Sequence, residues 1–257
     1  MALPPVAELE RAALTAVPAP RVAFDGPFVV RAFRGGTGRA NAASSLDPSP
    51  DPLIETRVGR VEARYRAMGL VPRFRSTPLD PPGLETLLRG RGYVEKDETV
   101  ILAAPIARIA APDPDVTAAA EPDDTWIGVI STTEYQTEAR RAEKRGTAAL
   151  LAAPGAWFTL WQDGTAAASM SVVSDGPIAG FFDLAVRPEF RRRGLAQRIT
   201  RAGAAWAMQQ GAEWLFAQVA ATNAASRGMS GGLGMEEAYR YRYFVPKDAV
   251  LPALKFS

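Results

Sequence analysis

Helical and strand-like spacings of apolar residues alternate along this chain, and their order sets out its elements. Val6, Leu9, Ala13 and Val17 fall on one helical stripe, with Glu8, Glu10 and Arg11 elsewhere, and Pro18 and Pro20 stop it. Residues 4–17 are therefore read as a short docking helix. Phe28 to Phe33 reads as a strand, Gly35-Gly36-Thr37-Gly38 as a turn or mobile loop, and the Pro- and Asp-rich Asp47 to Pro52 as a loop. Val58, Val61, Tyr65 and Met68 predict a helix ended by Gly69; Val71 to Arg75 is read as a strand. Leu84, Leu87 and Leu88 mark a second helix, and Gly92-Tyr93 leads into a strand through Thr99 to Leu102. Ala110 to Asp124, rich in Pro, Asp and Ala, is the candidate boundary, a linker or an exposed crossover.

Beyond that boundary, Thr125 to Leu151 is read as largely helical, with Glu138, Arg140, Arg141, Glu143, Lys144 and Arg145 on a solvated face. Trp157 to Trp161 predicts a strand, Gln162 to Thr165 a hairpin turn, and Ala166 to Val173 the return strand. A second turn at Ser174 to Pro177 leads to a strand ending Phe182-Asp183-Leu184-Ala185-Val186, in which Phe182, Leu184 and Val186 alternate with Asp183 and Ala185. Leu195, Ile199, Ala202 and Trp206 then recur at helical spacing to about Gln210. Trp214 to Val219 is an apolar strand, Thr222 to about Gly231 a short helix and Glu237 to Val245 a last strand. Tyr239, Tyr241 and Tyr243 share one face of that strand, which reads as packed on a core, although any of them could face a site. Trp126, Trp157 and Trp161 are likewise assigned to the core ahead of a pocket.

Composition narrows the chemistry. The 257 residues suit one large domain or two small ones, and no apolar run has the length of a membrane span. With no apolar leader at the start, the expectation is a soluble, cytoplasmic protein with no membrane partner. The absence of cysteine removes thiolate nucleophiles and thiolate metal sites, and the absence of histidine removes the commonest general base and every Ser-His triad. No paired-carboxylate motif appears, so no metal is expected. A net charge of +2 gives no overall field for nucleic acid, and none is expected as a partner. Oligomeric state is not legible.

One joint carries recognisable chemistry. Between the strand ending at Val186 and the helix starting near Leu195 lie Arg187-Pro188-Glu189-Phe190 and Arg191-Arg192-Arg193-Gly194. Gly194 permits positive φ and close approach to the backbone. The first amides of a helix have no acceptor within it and sit at its positive end, so a phosphate can accept from several at once. The bland reading is a solvated basic patch, but like charges clustered at a positive helix end are unfavourable without an anion.

A β-hairpin, a third strand, the turn Arg191-Arg192-Arg193-Gly194-Leu195-Ala196, a long helix, a strand and then Asn223 resemble the GNAT superfamily of acyl-CoA N-acyltransferases over residues 113 to 246. The approach Leu184 to Phe190 and the downstream Gly234 match as well. The resemblance implies an α/β (α+β) fold with a mixed, mostly antiparallel sheet flanked by helices. It divides the chain into an N-terminal helix at 1–20, a degenerate GNAT-like or plain accessory α/β domain at 22–108, and the acetyltransferase domain at 113–250. It implies acetyl-CoA as co-substrate, its pyrophosphate held by Arg191, Arg192, Arg193, Gly194, Leu195, Ala196 and Gln197. By the same resemblance the pantetheine arm pairs with the backbone of Leu184, Ala185 and Val186, where a backbone N–H polarises the thioester, and reaches Asn223 and Ser226. Asn223 is equally suited to cap a helix, and both roles can hold together.

The pattern fails at one place. Many members carry a tyrosine seven residues after that asparagine to protonate the departing thiolate, and here the position is Ser230. Ser230 could order a water, or a tyrosine of the last strand could take the role. Candidates for the base that neutralises the amine are Asp183, Glu134, Glu138, Glu236 and Glu237, with Asp183 nearest the reacting strand or else a solvated strand residue. With no activated nucleophile, direct transfer to a primary amine of a small molecule or peptide is the expected reaction. The rival expectation, motivated by Ser230, is an acyl-CoA-binding protein that has lost catalysis; a nucleotide-binding protein using the same anion site is a third.

Overall fold

Leu9, Ala12, Ala13 and Ala16 bury one side of helix α1 (Val6–Ala16). This is the first element of a computed structural model that describes residues 2–133 and 136–249. Strands β1 (Arg21–Asp25), β2 (Phe28–Ala32) and β3 (Ala43–Ser45) form an antiparallel meander, helix α2 (Ile54–Ala67) crosses over, and β4 (Phe74–Ser76) lies parallel to β3. Helix α3 (Leu84–Gly90) then leads to the long strand β5 (Tyr93–Pro105). β4 starts three residues later than its apolar run, because Pro72 has no N–H to give a ladder and pairing with β3 begins at Phe74. β1 and β3 leave little signal in the sequence: β1 is largely exposed, and β3 holds only Ala43-Ser44-Ser45.

The second half begins with β6 (Val116–Ala119), so the Pro- and Asp-rich segment is not only a linker: it lays an edge strand on its neighbour. Thr125 to Leu151 is not one helix. It divides into α4 (Asp124–Ile130), capped by the Asp123 carboxylate, and α5 (Glu138–Arg145), capped by the Thr137 hydroxyl, followed by a single 3-10 turn. Strands β7 (Gly155–Gln162), β8 (Thr165–Asp175) and β9 (Ile178–Val186) form a second antiparallel meander. Helix α6 (Leu195–Gln209) crosses to β10 (Trp214–Ala220), parallel to β9, and α7 (Ala224–Gly232) leads to β11 (Glu236–Pro246). The two halves thus repeat one order: meander, helix, parallel strand, helix, strand.

All eleven strands form one sheet, ordered β1-β2-β3-β4-β11-β5-β10-β9-β8-β7-β6. The last strands of the halves are exchanged. β5 lies between β10 and β11, and β11 lies between β4 and β5, so each half is completed by a strand of the other. Successive residues of β5 feed opposite faces: Val100, Leu102 and Ala104 enter a core under α6, while Ile101 and Ala103 enter one under α1 with Phe182, Phe216 and the three tyrosines of β11. A third core joins Phe28, Phe74 and Phe244 to α2 and α3. Of the tryptophans, Trp126 and Trp157 are buried in a cluster around α4 and Trp161 is exposed at the edge, where its indole N–H donates to Thr117.

Two buried ionic arrangements tie helices to the sheet. Arg75 on β4 pairs with the fully buried Glu10 of α1, and the Tyr239 hydroxyl donates to the same carboxylate. Asp25 at the end of β1 accepts from Arg57 and Arg60 of α2, at 2.9 and 2.8 Å, with Arg64 3.3 Å away. The bonds from Arg60 and Arg57 hold the Asp25 carboxyl down at about 2. Because that value lies below the ordinary carboxylate value, the stabilisation is present above about pH 4 and is lost as the pH falls through about 2. Asp25→Asn should therefore lower the urea-unfolding free energy by about 2 kcal/mol at pH 7 and by much less near pH 2. An equal loss at both pH values would contradict the ionic origin.

Candidate active site

β9 and β10 pair from Ile178 and Trp214 as far as Phe181 and Ala217, and there they part. Both strands continue, β9 to Val186 and β10 to Ala220, so each has one backbone edge facing its neighbour without a ladder. The cause is local. Ser169 and Ser171 of β8 lie opposite Ala185 and Phe182, which gives β9 one extra residue, and Asp183 within that bulge has φ 56°. Such a conformation costs a non-glycine residue on the order of 1 kcal/mol and is tolerated best by Asn and Asp.

Asp183 is not a solvated strand residue. Its carboxylate is buried and lies 2.6 Å from Lys144 Nζ. The charged face expected on α5 is likewise buried at Glu143 and Lys144. Each is satisfied in place. Glu143 accepts from the backbone N–H groups of Arg34, Gly36 and Thr37 and from Asn41 Nδ2, at 2.7 to 3.0 Å. The Gly-rich loop thus cradles a carboxylate of its own chain. Burial pushes the Lys144 ammonium below the usual lysine range; Asp183 opposes that shift, and Arg39 adds to it. Through these two residues, α5 anchors the loop with one side chain and the β9 bulge with the next.

A cavity of about 510 Å³ opens where the strands part. Asp183 and Leu184 of β9, Gln218 to Ala220 of β10, and Asn223, Ser226 and Ser230 at α7 form one wall. Ala185 is buried against α4, and Val186 packs on the core beneath α6. Asn223 caps α7, its Oδ1 accepting from the Ser226 N–H at 3.0 Å, and lines the cavity as well. Ser230 Oγ is buried with no hydrogen-bond partner among the described residues. Tyr241 and Tyr243 line the opposite wall, whereas Tyr239 is tied to Glu10.

The loop before α6 forms an amide nest. Arg192 has φ 61° and Gly194 φ 75°, and this alternation aims successive N–H groups to one side. The amides of Arg192, Arg193, Gly194, Leu195 and Ala196 have no acceptor among the described residues. A Cβ on Gly194 would meet no atom within 4 Å, so its strained φ, not crowding, demands glycine. Arg191, Arg192 and Arg193 are exposed around the nest, Leu195 is buried, and Gln197 lies against Gly232.

The remaining carboxylates named from the sequence lie off the cavity: Glu138 opens α5, Glu236 is exposed, and Glu237 pairs with Arg240 at 2.8 Å. Glu134 lies outside the described residues. Two acids that do line the cavity, Asp97 and Glu98, were not singled out, because they belong to β5 and only the strand exchange brings them here. Glu98 pairs with Arg240 at 3.2 Å. Among the described residues no group of His, Cys, Asp or Glu could hold a metal ion, and no helix is long and apolar enough to cross a membrane.

Known proteins share this arrangement. A family model described as "Probable histone acetyltransferase Rv0428c C-terminal" matches residues 5–244. An uncharacterized N-acetyltransferase of Bacillus subtilis, YobR, is 24% identical over 249 residues, covering 94% of this chain and 99% of that protein. A GCN5-related N-acetyltransferase from Kribbella flavida superposes with a TM-score of 0.73 at 18% identity, over 96% of this chain and 98% of the other. A tandem GNAT protein from the clavulanic acid biosynthesis pathway superposes with a TM-score of 0.65 at 13% identity, over 95% of this chain and 88% of the other. The chain belongs to the family described as "Probable histone acetyltransferase Rv0428c C-terminal", an acetyltransferase family, and has the fold of the GNAT acetyltransferases.

Proposed function

We propose that this acetyltransferase moves an acetyl group from acetyl-CoA to a primary amine by direct attack on the thioester. The observation that carries the reading is the parting of β9 and β10 beyond Phe181 and Ala217, next to the free amides at the start of α6. A pyrophosphate fits the nest of residues 192 to 196, the Gln197 N–H being taken by the Gly194 carbonyl, with the exposed arginines adding charge, and an amide-bearing arm can pair along the open edge of β9. In the transfer, the amine nitrogen bonds to the acetyl carbon, the carbon–sulfur bond breaks, and a proton leaves the amine while the thiolate takes one up. A backbone N–H of β9 near the bulge polarises the carbonyl.

The protein supplies the proton handling. Asp183, next to the open edge and 2.6 Å from Lys144 Nζ, is the carboxylate placed to accept a proton from the amine through water. Tyr243 lines the cavity with a hydroxyl that can donate a hydrogen bond to the thiolate; burial, with Tyr241 beside it, raises it well above the ordinary tyrosine value, which keeps it protonated at neutral pH and weakens it as an acid. Ser230 at α7, whose Oγ is buried and without a hydrogen-bond partner among the described residues, can hold a water on the wall facing Tyr243. Water would then relay the proton to where a tyrosine stands in many relatives. The second reading, acyl-CoA binding without turnover, is favoured by the occupied state of Asp183 in its ion pair and by Ser230.

Thiol release from acetyl-CoA across a panel of primary amines separates these readings: turnover supports transfer, and tight binding with no turnover on any amine supports the second. Gly194→Glu sets a β-carbon at φ 75° and a carboxylate in the nest, and should weaken acetyl-CoA binding at least tenfold by calorimetric titration. Unchanged affinity in the folded variant would refute the nest as the pyrophosphate site, and ATP binding without acetyl-CoA binding would refute acetyl transfer.

A further inference from the structure

The cavity wall opposite α7 is built by the first half of the chain and by β11, and its charge is not matched from within. Arg39 and Arg73 lie half-buried on this wall. Neither has a carboxylate within ion-pair reach among the described residues. Each guanidinium is held instead near an aromatic ring, Arg39 at 5.4 Å from the Phe182 centroid and Arg73 at 5.6 Å from that of Tyr243. Two of the acids nearby are paired elsewhere, Asp183 with Lys144 and Glu98 with Arg240, and the third, Asp97, is not within ion-pair reach of either arginine among the described residues.

The loop before β3 is shaped for this placement. A Cβ on Gly38 would lie 2.9 Å from Arg73 Nη1 and 2.8 Å from the Tyr243 ring, so the bare backbone there lets both side chains close on the cavity. Partly buried cations without a counter-charge are costly to keep unless a ligand supplies the anion. The donor is already provided with a separate anion site, the amide nest and the exposed arginines at α6. Arg39 and Arg73 contact Phe182 and Tyr243 on the cavity, Phe182 being the first residue of β9 past its last pair with β10.

We infer that the acceptor is an amine that carries its own anionic group, a carboxylate or a phosphate, held by Arg39 and Arg73 while its nitrogen points to the parted strands. The planar guanidinium fork suits both anions, since each presents oxygens for paired N–H donors. Asp97, on the same cavity at φ 54° and without a cation in ion-pair reach among the described residues, faces the positive end of such a substrate. This inference rests on the proposed acetyl transfer and narrows its acceptor.

The test is steady-state thiol release from saturating acetyl-CoA with matched amines: β-alanine against its amide for the carboxylate, and O-phosphoethanolamine against ethanolamine for the phosphate. At least one anionic member should show a kcat/KM tenfold or more above its neutral partner, and the pair that does so tells carboxylate from phosphate. Arg39→Gln and Arg73→Gln should each raise KM for that amine about tenfold, while KM for acetyl-CoA and kcat/KM for the neutral amine stay unchanged. Equal use of neutral and anionic amines overturns the inference and leaves acetyl transfer standing. A rise in KM for acetyl-CoA as large as that for the amine also overturns it, by placing the arginines on the donor. No turnover with any amine overturns both.

Discussion

The structure turns on a ladder that stops. Two parallel strands that pair over four residues and then separate leave backbone N–H and C=O groups that must find partners elsewhere, because buried peptide groups are costly when unpaired. The separation is not a frayed end. The bulge at Asp183 directs β9 away from β10, and the buried Lys144 fixes the bulge, so the open edge is held in place by the folded chain. α5 carries that constraint further, since the residue before Lys144 binds the amides of the Gly-rich loop on the opposite wall. One short helix therefore holds both the open edge of β9 and the Gly-rich loop.

The exchange of β5 and β11 has a comparable effect on a larger scale. Neither half of the repeated plan has its own last strand as neighbour, so the cavity is lined from both halves. One wall comes from β9, β10 and α7, and the charged wall comes from β5, β11 and the loop around Gly38. The first half has no amide nest of its own before α2, where Asp51 and the prolines stand and Asp51 pairs with Arg57. The free amides thus come from one half, and much of the charged wall from the other.

Much of this was legible in the sequence where local chemistry decides. The Gly194 turn and the hairpin at Asp163-Gly164 follow from residues close in the chain, and the structure places them as read. The alternation read for β9 is broken by the bulge at Asp183, which leaves Phe182 in the core under α1 and Leu184 and Val186 against the core under α6. Asn223 shows both of its readings at once, capping α7 and lining the cavity. What was not legible depends on distant partners. β5 and β11 are both antiparallel to their neighbours and similarly patterned, so nothing local says which half each will complete. The run from Glu138 to Arg145 looked solvated because charge normally is, yet Glu143 and Lys144 are buried by partners more than a hundred and nearly forty residues away, respectively. The acids Asp97 and Glu98 escaped notice for the same reason.

The open edge of β9 and the amides before α6 are proposed to receive acetyl-CoA together. Backbone amide hydrogen exchange with and without CoA reads those groups directly, residue by residue. The account predicts slowed exchange at residues 184 to 186 and 192 to 196 when CoA is bound. CoA binding that leaves both segments unchanged, with protection elsewhere on the sheet, would contradict it.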